Sequence, residues 1–158
     1  MPLEAAPAPA AAGVKAGPGL EHTVFLALQR LASDLGQEVA ELLKGAGLSG
    51  AQYNVLRILR GAGKSGLACG EIAGRMITRD PDITRLLDRL EKRGLVIRAR
   101  ESGDRRVVTT RITQEGRALL ATLDEPVAQL HERQLAGLGE EKLERLLQLL
   151  EEAGSAGL

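Results

Sequence analysis

The sequence is poor in the residue types on which several classes of protein depend. Its 158 residues include one cysteine, two histidines and no tryptophan. A single cysteine excludes an intramolecular disulfide and favours a reducing compartment, the cytoplasm. His22 and His131 fall on different predicted helices, without the paired spacing of a zinc site. We therefore expect neither a bound metal nor a cofactor.

Long apolar runs, a signal segment and catalytic motifs are also missing. No run approaches the roughly 18 apolar residues that span a bilayer, and no basic region precedes an apolar segment at the N-terminus. The sequence has neither a phosphate-binding glycine loop nor a nucleophile matched to a base. We expect a cytoplasmic protein that has no membrane partner and is not an enzyme.

The formal net charge is zero, but the charges are unevenly distributed. Residues 71–111 contain eleven Lys or Arg against seven Asp or Glu, so this segment carries +4 and the rest of the chain −4. A local basic face binds phosphates with strong salt dependence. The distribution favours a nucleic-acid partner.

What the sequence does have is helical periodicity. Residues 1–19 are rich in proline and alanine and predict a disordered tail. Apolar residues recur at steps of three and four from Leu20 to Lys44 and predict a long first helix. Ser49 is a predicted N-cap. Further helices are predicted over 49–59, 70–76, 80–93, 113–135 and after Gly139.

Two breakers and one hairpin complete this prediction. Asp80 and Pro81 have the side chains of an N-cap and a first helical residue. Pro126 is expected to kink or interrupt its helix. Residues 95–100 and 107–112 are β-prone and flank polar turn residues, which predicts a hairpin.

The segment from Glu71 to Arg111 is therefore predicted to form helix, turn, helix and basic hairpin, an order suited to double-stranded DNA. On its second helix Ile83, Leu86, Leu87 and Leu90 share one face, which predicts packing there and a polar face opposite. Arginine pairs with guanine, Asp accepts from cytosine, and Thr contacts a thymine methyl or a phosphate. The residues predicted to enter the major groove are those at the N-terminal end of this helix, Arg79, Asp82, Thr84 and Arg85. Arg89 and Lys92, further along the helix, are assigned to the DNA backbone or to salt bridges with Asp88 and Asp82.

The hairpin tip is the second predicted DNA contact. Asp104 can hold Arg105 or Arg106 by a charge-assisted hydrogen bond, so that a guanidinium faces outward. An arginine at a loop tip suits a narrow, electronegative minor groove. An ordinary solvated turn is the alternative.

These segments resemble a known family. Between about Leu48 and Leu120 the chain is similar to the multiple-antibiotic-resistance regulator (MarR) family of winged helix-turn-helix transcription factors. The similar segments are LSGAQYNVLRIL, CGEIAGRM, ITRLLDRLEKRGLVIR and GDRRVVTTRITQEGRALL. The resemblance implies homodimers that bind pseudo-palindromic operators, with 80–93 as the recognition helix and 107–112 as a wing strand. It also implies that Arg106 enters the minor groove and that Asp104 braces it. One departure is the acidic RDPDI start of the recognition helix.

The predicted fold is mainly α with a small β-hairpin, a winged helix-turn-helix with long flanking dimerisation helices. Within a single domain over 20–158, residues 48–113 form the DNA-binding lobe, and 20–45 and 114–153 form the dimerisation helices. The predicted function is a homodimeric, sequence-specific DNA-binding regulator, a repressor released by a small-molecule effector or another signal. A redox-sensing regulator switched through Cys69 and a protein-interaction module without DNA binding are the alternatives. A ligand cleft near Leu31, Leu35, Tyr53 and Leu56 is possible, but these residues equally form a core.

Overall fold

The computed structural model of the chain describes residues 19–78, 82–100 and 108–155. The predicted tail, apart from Gly19, therefore lies outside the described residues. By their internal contacts the residues divide into two compact units, Met1–Asp34 and Leu35–Leu158, with the boundary inside the first helix. The assignment of 20–158 to a single domain stays a prediction.

Helices dominate the described residues, and three short strands form one sheet. In chain order the elements are α1 (Leu20–Lys44), α2 (Gly50–Gly61), β1 (Leu67–Ala68), α3 (Cys69–Arg75), α4 (Ile83–Lys92), β2 (Val96–Arg100), β3 (Val108–Ile112), α5 (Gln114–Leu135) and α6 (Glu140–Ser155). This composition confirms the predicted mainly α fold with a small hairpin.

The first helix begins and ends at the predicted residues. In the first unit it carries an exposed apolar series that includes Val24, Phe25, Leu28 and Leu31. In the second unit its last turn is different, because Leu43 is fully buried. Gly47 then has a φ of +64°, a conformation that favours glycine, and turns the chain towards α2.

The N-terminus of α2 confirms the predicted cap. The Ser49 hydroxyl accepts from the Gln52 amide at 3.1 Å, and the Gln52 side chain accepts from the Ser49 amide at 3.0 Å. This reciprocal capping box satisfies two N–H groups that a helix end otherwise leaves unpaired. Tyr53, Leu56 and Leu59 are buried, so the apolar face of α2 joins the core.

The three strands are antiparallel in the order β1-β3-β2. Val96 pairs with Ile112 and Arg100 with Val108, which confirms the predicted hairpin. β1 was not predicted; Leu67 pairs with Thr110 and joins the sheet at the other edge of β3. The sheet therefore ties the start of α3 to the strand that leads into α5.

One hydrophobic core holds the second unit together. Leu43, Leu56, Leu59, Ile72, Leu87, Leu90 and Leu120 are among its fully or almost fully buried side chains. They come from α1 through α5, so the helices around the sheet share a single packed interior. Burial of one such side chain contributes about 1.5–3 kcal/mol.

The two C-terminal helices lie where the periodicity placed them, with one correction. Thr113 caps α5, as predicted, by accepting from the Gly116 amide at 3.1 Å. Of the kink or interruption predicted at Pro126, the interruption is wrong, because α5 continues through this residue, and the kink stays a prediction. The flanking Leu123 and Val127 are buried, and this packing offsets the hydrogen bond that proline removes. None of the described helices is long and apolar enough to cross a membrane.

Candidate nucleic-acid interface

The site is built on α3, the turn after it and α4. α3 begins where the Glu71 carboxylate accepts from the Ala68 amide at 2.8 Å, and Ile72 anchors it in the core. It ends at Arg75, and the chain turns at Ile77, whose amide donates to Asn54 Oδ1 of α2 at 2.9 Å. The turn is therefore held by a side chain of the preceding helix.

The start of α4 differs from the predicted one. Its N-cap is Asp82, whose Oδ1 accepts from the Arg85 amide at 3.2 Å, and its first residue is Ile83. The prediction of a helix from Asp80–Pro81 was therefore two to three residues early. Both residues, and Arg79, lie outside the described residues. Two capping signals, Asp80 and Asp82, occur in the sequence, and the helix whose Ile83 packs against the core begins after the second.

The two faces of α4 have opposite character, as predicted. Leu86, Leu87 and Leu90 are buried and Ile83 is half-buried against the core. The other face is exposed to solvent. It carries Asp82, Thr84, Arg85, Arg89 and Lys92.

The two arginines of this face are held differently. Arg85 Nε lies 3.1 Å from Asp82 Oδ2, although the Arg85 side chain is 78% exposed. Arg89 forms no ion pair within the described residues. A surface ion pair contributes about 0–1 kcal/mol, so the Arg85 guanidinium is readily released to another acceptor. Asp82 caps the helix and orients Arg85, and its predicted base contact stays a prediction.

Asp88 forms an ion pair with Arg98, a residue that the sequence analysis did not identify as its partner. Arg98 of β2 donates to Asp88 Oδ1 at 2.5 Å and, through Nε, to Glu91 Oε2 at 2.9 Å. The Arg98 side chain is the least exposed of the three. Its hydrogen bond lowers the pKa of Glu91, and the two carboxylates raise the pKa of Arg98. This contact fixes β2 on the polar border of α4, and the predicted pairing of Asp88 with Arg89 or Lys92 is wrong.

Arg93, which follows α4, is a second structural arginine. Its guanidinium donates to the carbonyl of Gly47 at 2.6 Å and to that of Ala46 at 3.2 Å. These carbonyls belong to the turn between α1 and α2. Two of the eleven basic residues in the segment therefore hold the fold, which a count of charges along the sequence cannot distinguish.

The hairpin is the other half of the site. Strands β2 and β3 pair over their full length, and the loop between them lies outside the described residues. Asp104, Arg105 and Arg106 are in that loop, so their predicted minor-groove contacts stay predictions. What the structure describes is the base of the wing, joined to α4 by Arg98.

The residues considered for sensing are not gathered into a site. Cys69 is half-buried at the first position of α3 and packs against the core. The His131 ring lies 3.1 Å from the Gln134 side-chain oxygen on the same helix. Within the described residues no group of histidine, cysteine and carboxylate side chains could hold a metal ion.

Sequence comparison places the chain among bacterial regulators. The sequence profile of the MarR family matches residues 48–108. The HTH-type transcriptional regulator FarR of Neisseria gonorrhoeae is 33% identical over 111 residues, 70% of this chain and 75% of FarR. The HTH-type transcriptional repressor IacR of Pseudomonas putida is 32% identical over 131 residues, 83% of this chain and 77% of IacR.

Solved structures share the fold. A MarR transcription factor from Planctomyces limnophilus is 42% identical, with a TM-score of 0.66 over 85% of this chain and 97% of that one. A mutant MarR from E. coli complexed with operator DNA is 24% identical, with a TM-score of 0.75 over 86% and 99%. Bordetella bronchiseptica BpsR, regulated in its DNA binding by 6-hydroxynicotinic acid, is 23% identical, with a TM-score of 0.74 over 84% and 98%.

The helix-turn-helix of α3 and α4, followed by the β2–β3 hairpin, is thus the winged helix-turn-helix of these structures. The curated relatives that carry it are regulators of transcription. The family resemblance predicted from the sequence is confirmed. The chain belongs to the MarR family of transcriptional regulators.

Proposed function

We propose that the protein is a homodimeric repressor that reads a pseudo-palindromic operator in double-stranded DNA and is released from it by a small-molecule effector or another signal. One observation carries the proposal. The helix α4 is packed by Leu86, Leu87 and Leu90 on one side and exposes Thr84, Arg85 and Arg89 on the other. A helix with this division can enter a major groove without losing its own support.

The residues near the N-terminus of α4 read bases. Arg85 exchanges its weak pairing with Asp82 for a bidentate contact to guanine, and Thr84 contacts a thymine methyl or a phosphate. Arg79 precedes the helix and reaches the same groove. Arg89, one turn further along, contacts the DNA backbone or a base.

The hairpin tip supplies the second contact. Arg106 enters the minor groove, Asp104 braces it, and Arg105 contacts a neighbouring phosphate. Arg98 fixes β2 on α4, so the base of the wing is held against the recognition helix.

The dimer is formed by the helices outside the DNA-binding lobe. Residues 48–113 form that lobe, and 20–45 and 114–153 are the dimerisation helices. Support comes from apolar surface: none of the residues of α6 is buried, and Leu147, Leu149 and Leu150 are exposed. Exposed leucines at this density favour a partner surface. Two recognition helices about 34 Å apart then enter successive major grooves.

The repressor role and the effector rest on relatives. IacR is named a repressor, and the DNA binding of BpsR is regulated by 6-hydroxynicotinic acid. An effector that binds one spacing of the two lobes better than the other shifts the population off DNA. The effector of this chain is open to a screen on the operator complex.

The experiment that tests the proposal is a selection of random duplex DNA on the purified protein at near-physiological salt. We expect an enriched inverted repeat with half-sites about one helical turn apart. Weak, salt-sensitive binding without enrichment would contradict sequence-specific reading and would favour the protein-interaction module instead.

Substitution of Arg85 tests the role of the recognition helix. We expect Arg85→Ala to cost about 1–3 kcal/mol of binding free energy on the selected operator and little on random DNA. Arg106→Ala should weaken both kinds of DNA more evenly. Arg117→Ala is the matched control, because Arg117 is an exposed cation at the start of α5. Equal losses for Arg85→Ala and Arg106→Ala on both DNAs would contradict this division of roles.

The redox alternative has a direct measurement. Cys69 is half-buried and part of the packed interior. If mild peroxide leaves the Cys69 thiol intact by mass spectrometry and leaves operator binding unchanged, the redox switch is excluded.

A further inference from the structure

We infer that Ile77, in the turn between α3 and α4, is a specificity-determining residue that packs its side chain against a thymine methyl at one position of each operator half-site. The inference rests on the proposed function, because it concerns the DNA that the protein binds. It adds to the proposed base contacts an apolar one, made by a residue outside the recognition helix.

The exposure of Ile77 is the first observation. Its side chain is 80% exposed, more than any other large apolar side chain in the described residues. Every other apolar side chain named on α3 and α4 is at least half-buried. Its exposure leaves an aliphatic group in water at the point where a helix-turn-helix approaches DNA.

The backbone at Ile77 is held in place, which is the second observation. Its amide donates to Asn54 Oδ1 at 2.9 Å, and Asn54 is on α2, whose Val55 and Leu56 are fully buried. A residue fixed to a rigid helix presents its side chain at a defined place. Such preorganisation reduces the entropy that is lost when the side chain is immobilised on a partner.

The surroundings of Ile77 select DNA over a protein partner. Arg75, at the end of α3, is exposed, and so are Arg85 and Arg89 of α4. A single isoleucine among cations is too small an apolar surface for a stable protein interface, which buries on the order of 1,000 Å² or more. In the major groove, by contrast, thymine offers a methyl group at a base edge, surrounded by phosphates.

Replacement of single thymines by deoxyuridine tests the inference, because it removes only the methyl group. On the selected operator, we expect one thymine per half-site at which the wild-type protein loses about fourfold in affinity, the effect of one buried methyl group. Substitution of both symmetry-related thymines should cost about fifteenfold. Ile77→Ala should bind the thymine operator more weakly and should no longer distinguish deoxyuridine from thymine at that position.

Two further variants control the result. Ile97→Ala is matched, because Ile97 is an exposed isoleucine of β2 outside the turn, and it should keep the full thymine preference. Asn54→Ala should reduce the preference while Ile77 itself is unchanged. Because Ile77 is exposed, Ile77→Ala should melt within about two degrees of the wild-type protein.

The outcomes separate this inference from the proposed function. If the operator is selected and bound but no thymine shows a methyl effect that Ile77→Ala removes, the inference is overturned and the proposed function stands. If the selection enriches no operator, both are overturned.

Discussion

Among the glycines of the described residues, Gly116 is the one at which an added Cβ atom would come nearest to another backbone. A Cβ atom at this position would lie 2.3 Å from the Leu95 carbonyl oxygen and 2.8 Å from Ile112 Cγ1. Leu95 lies in the short connection between α4 and β2, and Ile112 ends β3, so the first turn of α5 packs against both parts of the DNA-binding lobe. A side chain at Gly116 would separate them.

We therefore expect Gly116→Ala to lower the free energy of unfolding by about 1–3 kcal/mol, as overpacking does. Urea denaturation measures it. Gly74→Ala is the control, since a Cβ there meets nothing within 4 Å and alanine favours the helix by up to about 1 kcal/mol. A Gly116→Ala protein as stable as the wild type would show that α5 can shift without cost.

At the level of single residues, the sequence predicted which side chains of α4 are exposed, but it did not predict which arginines hold the fold together. Periodicity alone separates Leu86 and Leu90 from Arg85 and Arg89. Arg93 donates to carbonyls 46 and 47 residues earlier in the chain, and Arg98 pairs with carboxylates of the helix that precedes its strand. Contacts of this kind are set by tertiary packing, and no local pattern indicates them. Ile77 had no signal either, because an isolated apolar residue in a turn has no periodicity.

Among the elements, α2 and α5 are joined by a charged pair. Arg60 donates from both terminal nitrogens to Asp124, at 2.8 and 2.9 Å. The hydrogen bond lowers the pKa of Asp124 and raises the pKa of Arg60. The Asp124 side chain is half exposed, so solvent screening limits the pair to about 1 kcal/mol or less.

This pair predicts a pH dependence. Because the pKa of Asp124 is lower in the folded chain than in the unfolded chain, its stabilisation is present above about pH 4 and is lost as the pH falls through the folded pKa. Asp124→Asn should be less stable than the wild type at about pH 7, and the difference should narrow near pH 3. Unfolding in urea at the two pH values measures it.

Glu132→Gln, on the exposed side of the same helix, is the matched control and should show no such narrowing. A difference between Asp124→Asn and the wild type that stays constant across the same pH range would mean that the ion pair does not stabilise the fold.

The sequence placed most elements to within a residue or two. α1 begins and ends as predicted, and the caps Ser49 and Thr113 are both confirmed. β1 was missed, because two residues are too few for an alternating pattern and its pairing with β3 is non-local. The predicted start of α4 and the predicted interruption at Pro126 were wrong, since in both places packing of the apolar face overrides a local signal.

For the whole molecule, the exposed leucines of α6 make the proposed dimer testable. Leu147 is 58% exposed and Leu150 is 44% exposed. We expect Leu147→Glu to dissociate the dimer, because a carboxylate in an apolar interface loses its hydration without gaining a partner. Sedimentation velocity measures the oligomeric state, and operator affinity should fall with it, because a monomer contacts one half-site.

Gln148→Glu adds the same charge one residue away and is the control for a general effect of charge on α6. Were Leu147→Glu to remain dimeric at micromolar concentration, the dimer interface would have to exclude this part of α6, and the assignment of 114–153 to dimerisation would need revision.

The side chain of Thr113 connects the recognition helix to α5, and this contact bears on how the two lobes of such a dimer are positioned. The Thr113 hydroxyl donates to the Gly94 carbonyl at 2.6 Å and also caps α5, so one side chain joins the end of the recognition helix to the beginning of a 22-residue rod. That rod is about 33 Å long. As a lever pivoting at Thr113, a turn of about 10° moves its far end by about 6 Å, nearly the rise of two base pairs. In a dimer held together at the far ends of α5, the stiffness of the Thr113–Gly94 contact therefore matters more than the length of the helices. It sets how narrow a range of half-site spacings the two recognition helices can fit.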